Sequence, residues 1–309
     1  MRAAQINSYG DKDVLHFTDQ APKPTAGPGQ VLVEVHAASV NPYDWMVMSG
    51  IGGANLTFPA TLGGDLAGVV AEVGPDVEGF EVGQEVYGGA NPASGRGSFA
   101  EFAPAKATSI APKPANIDFV TAAALPLAAE SAYQALVDTL HLSAGQKILI
   151  HGGAGGIGTI AIQLAKHLGA YVATTVSEKN KDYAVQLGAD EVIDYKVERF
   201  EEKLQDFDAV FDTVGGDTYE RSFAVLKKGG QIVSMVAPPN EELAAAHDVT
   251  AIHQFTDATT ERLAHITELV EQGVLNVTID QTYPLEQAAE ALDQLHNGGH
   301  RGKIVIKIK

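Results

Sequence analysis

The stretch ILIHGGAGGIGTIAIQLAKHLGAYV, residues 148–172, constrains this chain more than any other. A β-type apolar run, KILIH (147–151), meets a glycine cluster, and a helical pattern begins at once. Gly153, Gly155 and Gly158 fit G-x-G-x-x-G. Behind them Ile157, Ile160, Ala161, Leu164 and Leu168 recur as they do on a helix lying against a sheet, and Gly169 ends the pattern. A second β-type run, YVATTV (171–176), follows. Strand, glycines, amphipathic helix and strand, in that order and within about 30 residues, are what a dinucleotide site requires. On this reading Gly153 turns the chain out of the strand, Gly155 admits a pyrophosphate to the backbone, and Gly158 lets helix and strand pack closely. The loop from Gly153 through Ala154, Gly155, Gly156 and Ile157 then faces the diphosphate at the positive end of the helix dipole. A glycine-rich turn serving only helix packing is the plainer alternative. No Lys-Ser or Lys-Thr follows the last glycine, which disfavours a P-loop.

The residues after the second strand discriminate between the two pyridine dinucleotides. An acidic side chain there accepts from the free ribose hydroxyl of NAD, whereas a 2′-phosphate needs cations and hydroxyls. The strand is followed by Ser177, Glu178, Lys179, Asn180 and Lys181. Ser177 at the contact position, with Lys181 beyond it, favours NADPH over NADH. Glu178, slipped by one residue, would serve NAD instead.

Elsewhere the texture divides the chain. The first 120 or so residues read as β-rich, with VLVEVHAASV (31–40), GVVAEVG (68–74) and EVYG (85–88) separated by Gly/Pro clusters such as PKPTAGPG and GGANPASGRG. From about residue 121 an Ala/Leu-rich helical segment leads into alternating strands and helices, the pattern of a doubly wound parallel sheet. The tail changes again: helices near 259–272 and 286–296, then a closing strand KIVIKI (303–308).

The formal charge of −18 repels phosphate backbones and anionic lipid, so neither nucleic acid nor membrane is an expected partner. The absence of cysteine excludes thiolate zinc sites and cysteine nucleophiles. No apolar run reaches membrane-spanning length, and MRAAQINSYGDKD lacks a signal-peptide core, so a cytoplasmic protein is expected.

Further motifs run nearly end to end: SVNPYDWMVMSG (39–50), GGDLAGVVAEVGPDVEGFEVGQEVYG (63–88), GSFAEFAPA (97–105), AAALPLAAESAYQAL (122–136), HGGAGGIG (151–158), LGADEVIDY (187–195), FDTVGG (211–216), LKKGGQIV (226–233) and RGKIVIKI (301–308). With them the chain resembles the zinc-free, zeta-crystallin-like quinone oxidoreductases of the medium-chain dehydrogenase/reductase superfamily. The resemblance implies an α/β protein: a GroES-like β-domain over 1–122, completed by 272–309, and a Rossmann doubly wound parallel-sheet domain over 123–271. It also implies a homodimer. Zinc-dependent relatives carry a cysteine near position 41, where this chain has Asn41, and its histidines are scattered without ligand spacing. No metal site is therefore expected.

For the cofactor, the resemblance implies contacts from Ser131 in ESAY, Tyr195 at a strand end and Val214 in DTVGG. It adds Val236 and Ala237 after a further strand, Phe255 after IHQ, and Lys303 in RGK. For the acceptor it points to NPYD. Asn41 would donate to a carbonyl, Tyr43 would offer a phenol or a packed ring, and Asp44 would hold the local turn or act as an acid. Trp45 and Met48 would wall the acceptor or pack in the core. Without a Lewis acid, hydride transfer suits acceptors that delocalise the charge they receive, which favours a quinone or enone over alcohol oxidation. An alkenal double-bond reductase, or a non-catalytic NADPH-binding sensor or structural protein, would share these features.

Overall fold

The computed structural model describes residues 1–51, 53 and 55–309; Gly52 and Ala54 lie outside them. Two compact units form, one from residues 1–130, 258–273 and 277–309, the other from 131–257 and 274–276.

The first unit is built on strands. β1 (Ala3–Ile6) pairs antiparallel with β2 (Leu15–Thr18) and with β4 (Ala60–Thr61). The larger sheet uses β3 (Gln30–Ser39), β5 (Asp65–Val73), β6 (Glu85–Ala90), β7 (Phe102–Pro112), β14 (Ile279–Pro284) and β15 (Lys303–Lys307), in the order β14-β15-β3-β5-β6-β7. A further β3–β7 pairing curls it back on itself, the GroES-like closure that removes a free edge. β3 is buried almost throughout because it pairs with β5, β7 and β15. Val31, Val33, Val35, Leu66, Val70, Ile304 and Ile306 fill the core. Helix α1 (Pro42–Ser49) follows β3, and α2 (Phe119–Ala123) and α3 (Pro126–Tyr133) follow β7.

The second unit is a parallel sheet with strands β8 (Lys147–His151), β9 (Tyr171–Val176), β10 (Glu191–Asp194), β11 (Phe207–Asp212), β12 (Leu226–Ser234) and β13 (Thr250–His253). Their order, β10-β9-β8-β11-β12-β13, is that of two βαβαβ halves meeting between β8 and β11. Helices α4 (Gly156–His167), α5 (Lys181–Gln186), α6 (Gly216–Ser222) and α7 (Glu241–His247) connect them. On α4 the buried face is broader than its sequence stripe: Thr159, Ile162 and Ala165 join Ile160, Ala161 and Leu164, while Ile157 and Leu168 are only half-buried.

Two helices of the tail, α8 (Thr260–Glu271) and α9 (Ala288–Asn297), belong to the first unit. The expected division placed residues 123–271 together; in the structure 123–130 and 258–271 lie with the first unit instead. α8 is tied there by hydrogen bonds. The Tyr87 hydroxyl donates to the Leu263 carbonyl at 2.7 Å, and the Thr260 hydroxyl lies 2.9 Å from the carbonyls of Ala107 and Ile110.

Candidate active site

β8 stops at His151, and the chain reverses at Gly152, whose φ of +72° suits glycine. The sharp turn expected at Gly153 is therefore one residue earlier. Gly153 does a different job: a Cβ there would lie 2.1 Å from Thr174 Oγ1, so it lets β9 approach the loop. Gly158 is needed where α4 crosses the loop, since its Cβ would meet the Gly152 carbonyl at 2.2 Å. Gly155 differs. An added Cβ would meet only the Gly152 carbonyl, at 3.3 Å. Gly155 is the N-cap of α4, and the first turn carries no acidic side chain. The first-turn amides of a helix have no intrahelical acceptor, so this loop is a cradle of donors at a positive helix end. The Gly153 amide is committed to the Thr175 carbonyl at 3.1 Å and the Gly155 amide to the Gly152 carbonyl at 2.9 Å. Of the expected loop, Gly153 to Ile157, the amides of Ala154, Gly156 and Ile157 are the ones that would hold a diphosphate, with Gly155 giving it room.

Several expected cofactor residues sit at the carboxyl edge of the same sheet. Tyr195, Val214 and Val236 are exposed just beyond β10, β11 and β12, and Ala237 is half-buried beside Val236. Asp212, which sequence reasoning missed, organises two of these loops. Its Oδ1 accepts from the amides of Val214 and Gly215 at 3.0 Å, and its Oδ2 accepts from the Ser234 hydroxyl at 2.8 Å. Ser234 Oγ in turn accepts from the amides of Val236 and Ala237. Phe255 is 79 % exposed, with its carbonyl accepting from Gln134 Nε2 at 3.1 Å. Ser131 is fully buried, its hydroxyl 2.6 Å from that of Thr256 and its carbonyl bonded to Gln254 Nε2. It braces segment 254–256 and presents no surface of its own.

Past β9, Ser177 is half-buried. Lys181 is not an uncommitted cation: its ammonium is 2.9 Å from Glu178 and 3.1 Å from Glu198. Under the loop, His151 Nδ1 lies 3.0 Å from Thr175 Oγ1 and Nε2 lies 2.9 Å from Ser222 Oγ. The Ser222 hydroxyl donates to the Thr218 carbonyl, so Nε2 carries the proton. Burial pushes this imidazole down to about 4, and it is neutral.

The first unit holds a second cluster. Asn41 precedes α1, and its backbone amide donates to Asp44 Oδ2 at 2.8 Å. Asp44 is fully buried and caps this helix; burial raises its carboxyl to about 7. Asn41 itself is 4 % exposed. Its Nδ2 donates to Asp65 Oδ2 at 2.8 Å, and its Oδ1 accepts from Lys303 Nζ. Lys303, expected among the cofactor contacts, is 6 % exposed and committed to Asn41, to the Val40 carbonyl at 3.3 Å and to Asp65 at 3.5 Å. Asp65 takes two more donors, the Ser39 hydroxyl at 2.7 Å and the Leu127 amide at 3.0 Å. Neither Asp65 nor the partly uncompensated Glu130, raised by burial to about 7, was singled out from sequence. Tyr43 is 40 % exposed. Trp45 is half-buried and stacks on His296, ring centroids 3.9 Å apart, and Met48 is buried in the core. Among the described residues no three His, Asp, Glu or Cys side chains gather as metal ligands would.

Residues 27–115 match the alcohol dehydrogenase GroES-like domain, and residues 187–306 match the zinc-binding dehydrogenase family. The quinone oxidoreductase of Coxiella burnetii superposes with a TM-score of 0.93 at 36 % identity, over 100 % of this chain and 99 % of that one. The chain belongs to the quinone oxidoreductase family of the medium-chain dehydrogenase/reductase superfamily. Within this family it is also similar to the 2-methylene-furan-3-one reductase of Solanum lycopersicum, 35 % identical over 99 % of this chain and 79 % of that protein. The Escherichia coli quinone oxidoreductase, solved in complex with NADPH, has a TM-score of 0.91 at 27 % identity, with 100 % of both chains covered.

Proposed function

We propose that this family member is an NADPH-dependent reductase that transfers hydride to quinones or α,β-unsaturated carbonyls without zinc. The observation that carries the reading is the loop at Gly155, open above a helix N-terminus while its neighbours at 153 and 158 are closed by packing. When bound, NADPH supplies the hydride. The chain's own residues bind and orient. The amides of Ala154, Gly156 and Ile157 hold the diphosphate, and Asp212 and Ser234 fix the loops carrying Val214, Val236 and Ala237 at the sheet edge where such folds bind ligands. Phe255 would meet the carboxamide end. A metal-free reaction is supported by the residues around position 41, where an amide, a carboxylate and an ammonium are bonded to one another.

The enone branch has its own support in the Solanum lycopersicum relative, a 2-methylene-furan-3-one reductase. A homodimer, which the family resemblance implies, belongs to the same reading, and cytoplasmic residence is proposed with it. Among the described residues no helix is long and apolar enough to cross a membrane.

The test is a fluorescence titration with NADPH and NADH, followed by turnover on a panel of quinones and 2-alkenals. The reading expects NADPH to bind in the micromolar range and at least one acceptor class to oxidise it. Binding of neither coenzyme would sink it, and tight binding with no turnover across the panel would favour the non-catalytic alternative.

A further inference from the structure

Lys303 and Asp65 form an ion pair with almost no access to water, 6 % and 2 % exposed. Burying two charges costs several kcal/mol per ion, and an apolar replacement is often as stable or more so. Packing therefore gives no reason for an ammonium here. The pair spans three segments distant in sequence, the β3–α1 junction, the start of β5 and the start of β15, and it closes on one side chain, Asn41.

The two charges fix the Asn41 amide in one orientation. Its Oδ1 faces the ammonium of Lys303 and its Nδ2 faces the carboxylate of Asp65. Rotated by 180°, it would set NH₂ against NH₃⁺ and oxygen against oxygen. One Nδ2 hydrogen is used on Asp65, and the other meets no acceptor among the described residues. A cation on the oxygen end draws density from the amide nitrogen, so its remaining N–H becomes a stronger donor.

We propose that Lys303 is a positioning residue that makes Asn41 a polarised hydrogen-bond donor to the oxygen where negative charge develops as the acceptor is reduced. Asn41 is the group that touches the acceptor; Lys303 acts through it. The step needs no new reactant. Hydride forms a C–H bond, the electron pair moves to the acceptor oxygen, Asn41 stabilises that oxyanion, and water supplies the proton. The proposal rests on the reductase reading above.

The test is a double-mutant cycle of Lys303→Met, Asn41→Ala and the pair. Asn41→Ala is expected to lower kcat for a quinone or enone by roughly 100- to 1,000-fold, the scale for one oxyanion donor, and Lys303→Met by a smaller factor of at least about tenfold. The Kd for NADPH should stay within about twofold, and the double variant should be no slower than Asn41→Ala alone. Multiplied losses in the double variant, or a folded Lys303→Met with wild-type kcat, would overturn the proposal. Because the chain has no cysteine, Lys303→Cys offers a single thiol. Aminoethylation with 2-bromoethylamine in denaturant, then refolding, restores an ammonium of near-lysine length. It should restore kcat over the refolded unmodified variant, and equal activity of the two would overturn the idea even if Lys303→Met does not fold. A wild-type protein that reduces no acceptor would sink the reductase reading and this proposal together; wild-type turnover with an unaffected variant would sink the proposal alone.

Discussion

Lys181 donates to Glu198 at 3.1 Å, and Glu198 is also bonded to Lys203. Hydrogen bonds from Lys203 and then Lys181 hold the Glu198 carboxyl down at about 2, so it is an anion at any working pH. A 2′-phosphate seeking Lys181 therefore meets a like charge already on that ammonium. Glu198→Gln should tighten NADPH roughly two- to fivefold, the scale of a single exposed charge pair, and leave NADH unchanged. Isothermal titration with both coenzymes measures this. Weaker NADPH binding would mean instead that Glu198 holds Lys181 in its working position.

His151 makes stability depend on pH with a defined sign. Its folded pKa is depressed to about 4 by burial, against an ordinary value near 6.5. The unfolded chain takes up the proton first as pH falls. This contribution is whole above about pH 6.5 and is lost between there and about pH 4, with about 2 kcal/mol gone from pH 7 to pH 5. Asp44 and Glu130 run the other way, because burial raises their carboxyls to about 7 and their contribution fades as pH rises. The difference between wild type and His151→Gln isolates the imidazole. Urea unfolding at pH 7 and pH 5 should show the variant losing about 2 kcal/mol less than wild type over that interval. Parallel losses would show that His151 is protonated within the fold.

Gly158 and Gly155 separate folding from binding. At Gly158 a Cβ runs into backbone, the Gly152 carbonyl at 2.2 Å, and neither side can yield cheaply. Gly158→Ala should lose at least about 3 kcal/mol or fail to accumulate as folded protein. At Gly155 the same carbonyl is 3.3 Å away, so Gly155→Ala should fold within about 1 kcal/mol of wild type. Its methyl group would occupy the open cradle, and NADPH affinity should fall at least tenfold. Thermal melts beside fluorescence titrations decide it; unchanged affinity in a folded Gly155→Ala would remove the diphosphate from this loop.

The second unit was legible because its order is local. KILIH and YVATTV coincide with β8 and β9, since a buried parallel strand is a short run of apolar and β-branched residues with few interruptions. The edge strand β13 escaped because it is only four residues long, and the long β7 because few of its residues are β-branched. α8 showed its amphipathic period but not its partner: the pattern says that one face is buried, not against which unit. The site was half legible. Spacing found the glycines yet put the turn one residue late, because the positive φ at Gly152 follows from where β8 stops. Lys303 and Asp65 act through contacts between residues far apart in the chain, as Asp212 does through Ser234, and a charged residue at a strand end gives no sign of whether it points in or out.

The place of β15, between β14 and β3, has a consequence for biosynthesis. While the ribosome is still making residue 295, the Ala37–Ser39 stretch of β3 is paired with β5 on one side and open on the other, and the ammonium for Asn41 has not been made. The parallel sheet needs nothing beyond residue 257 for its own strands and can assemble as it emerges. The part synthesised first is therefore finished last, and its open edge must be kept from other nascent chains until the final strand arrives.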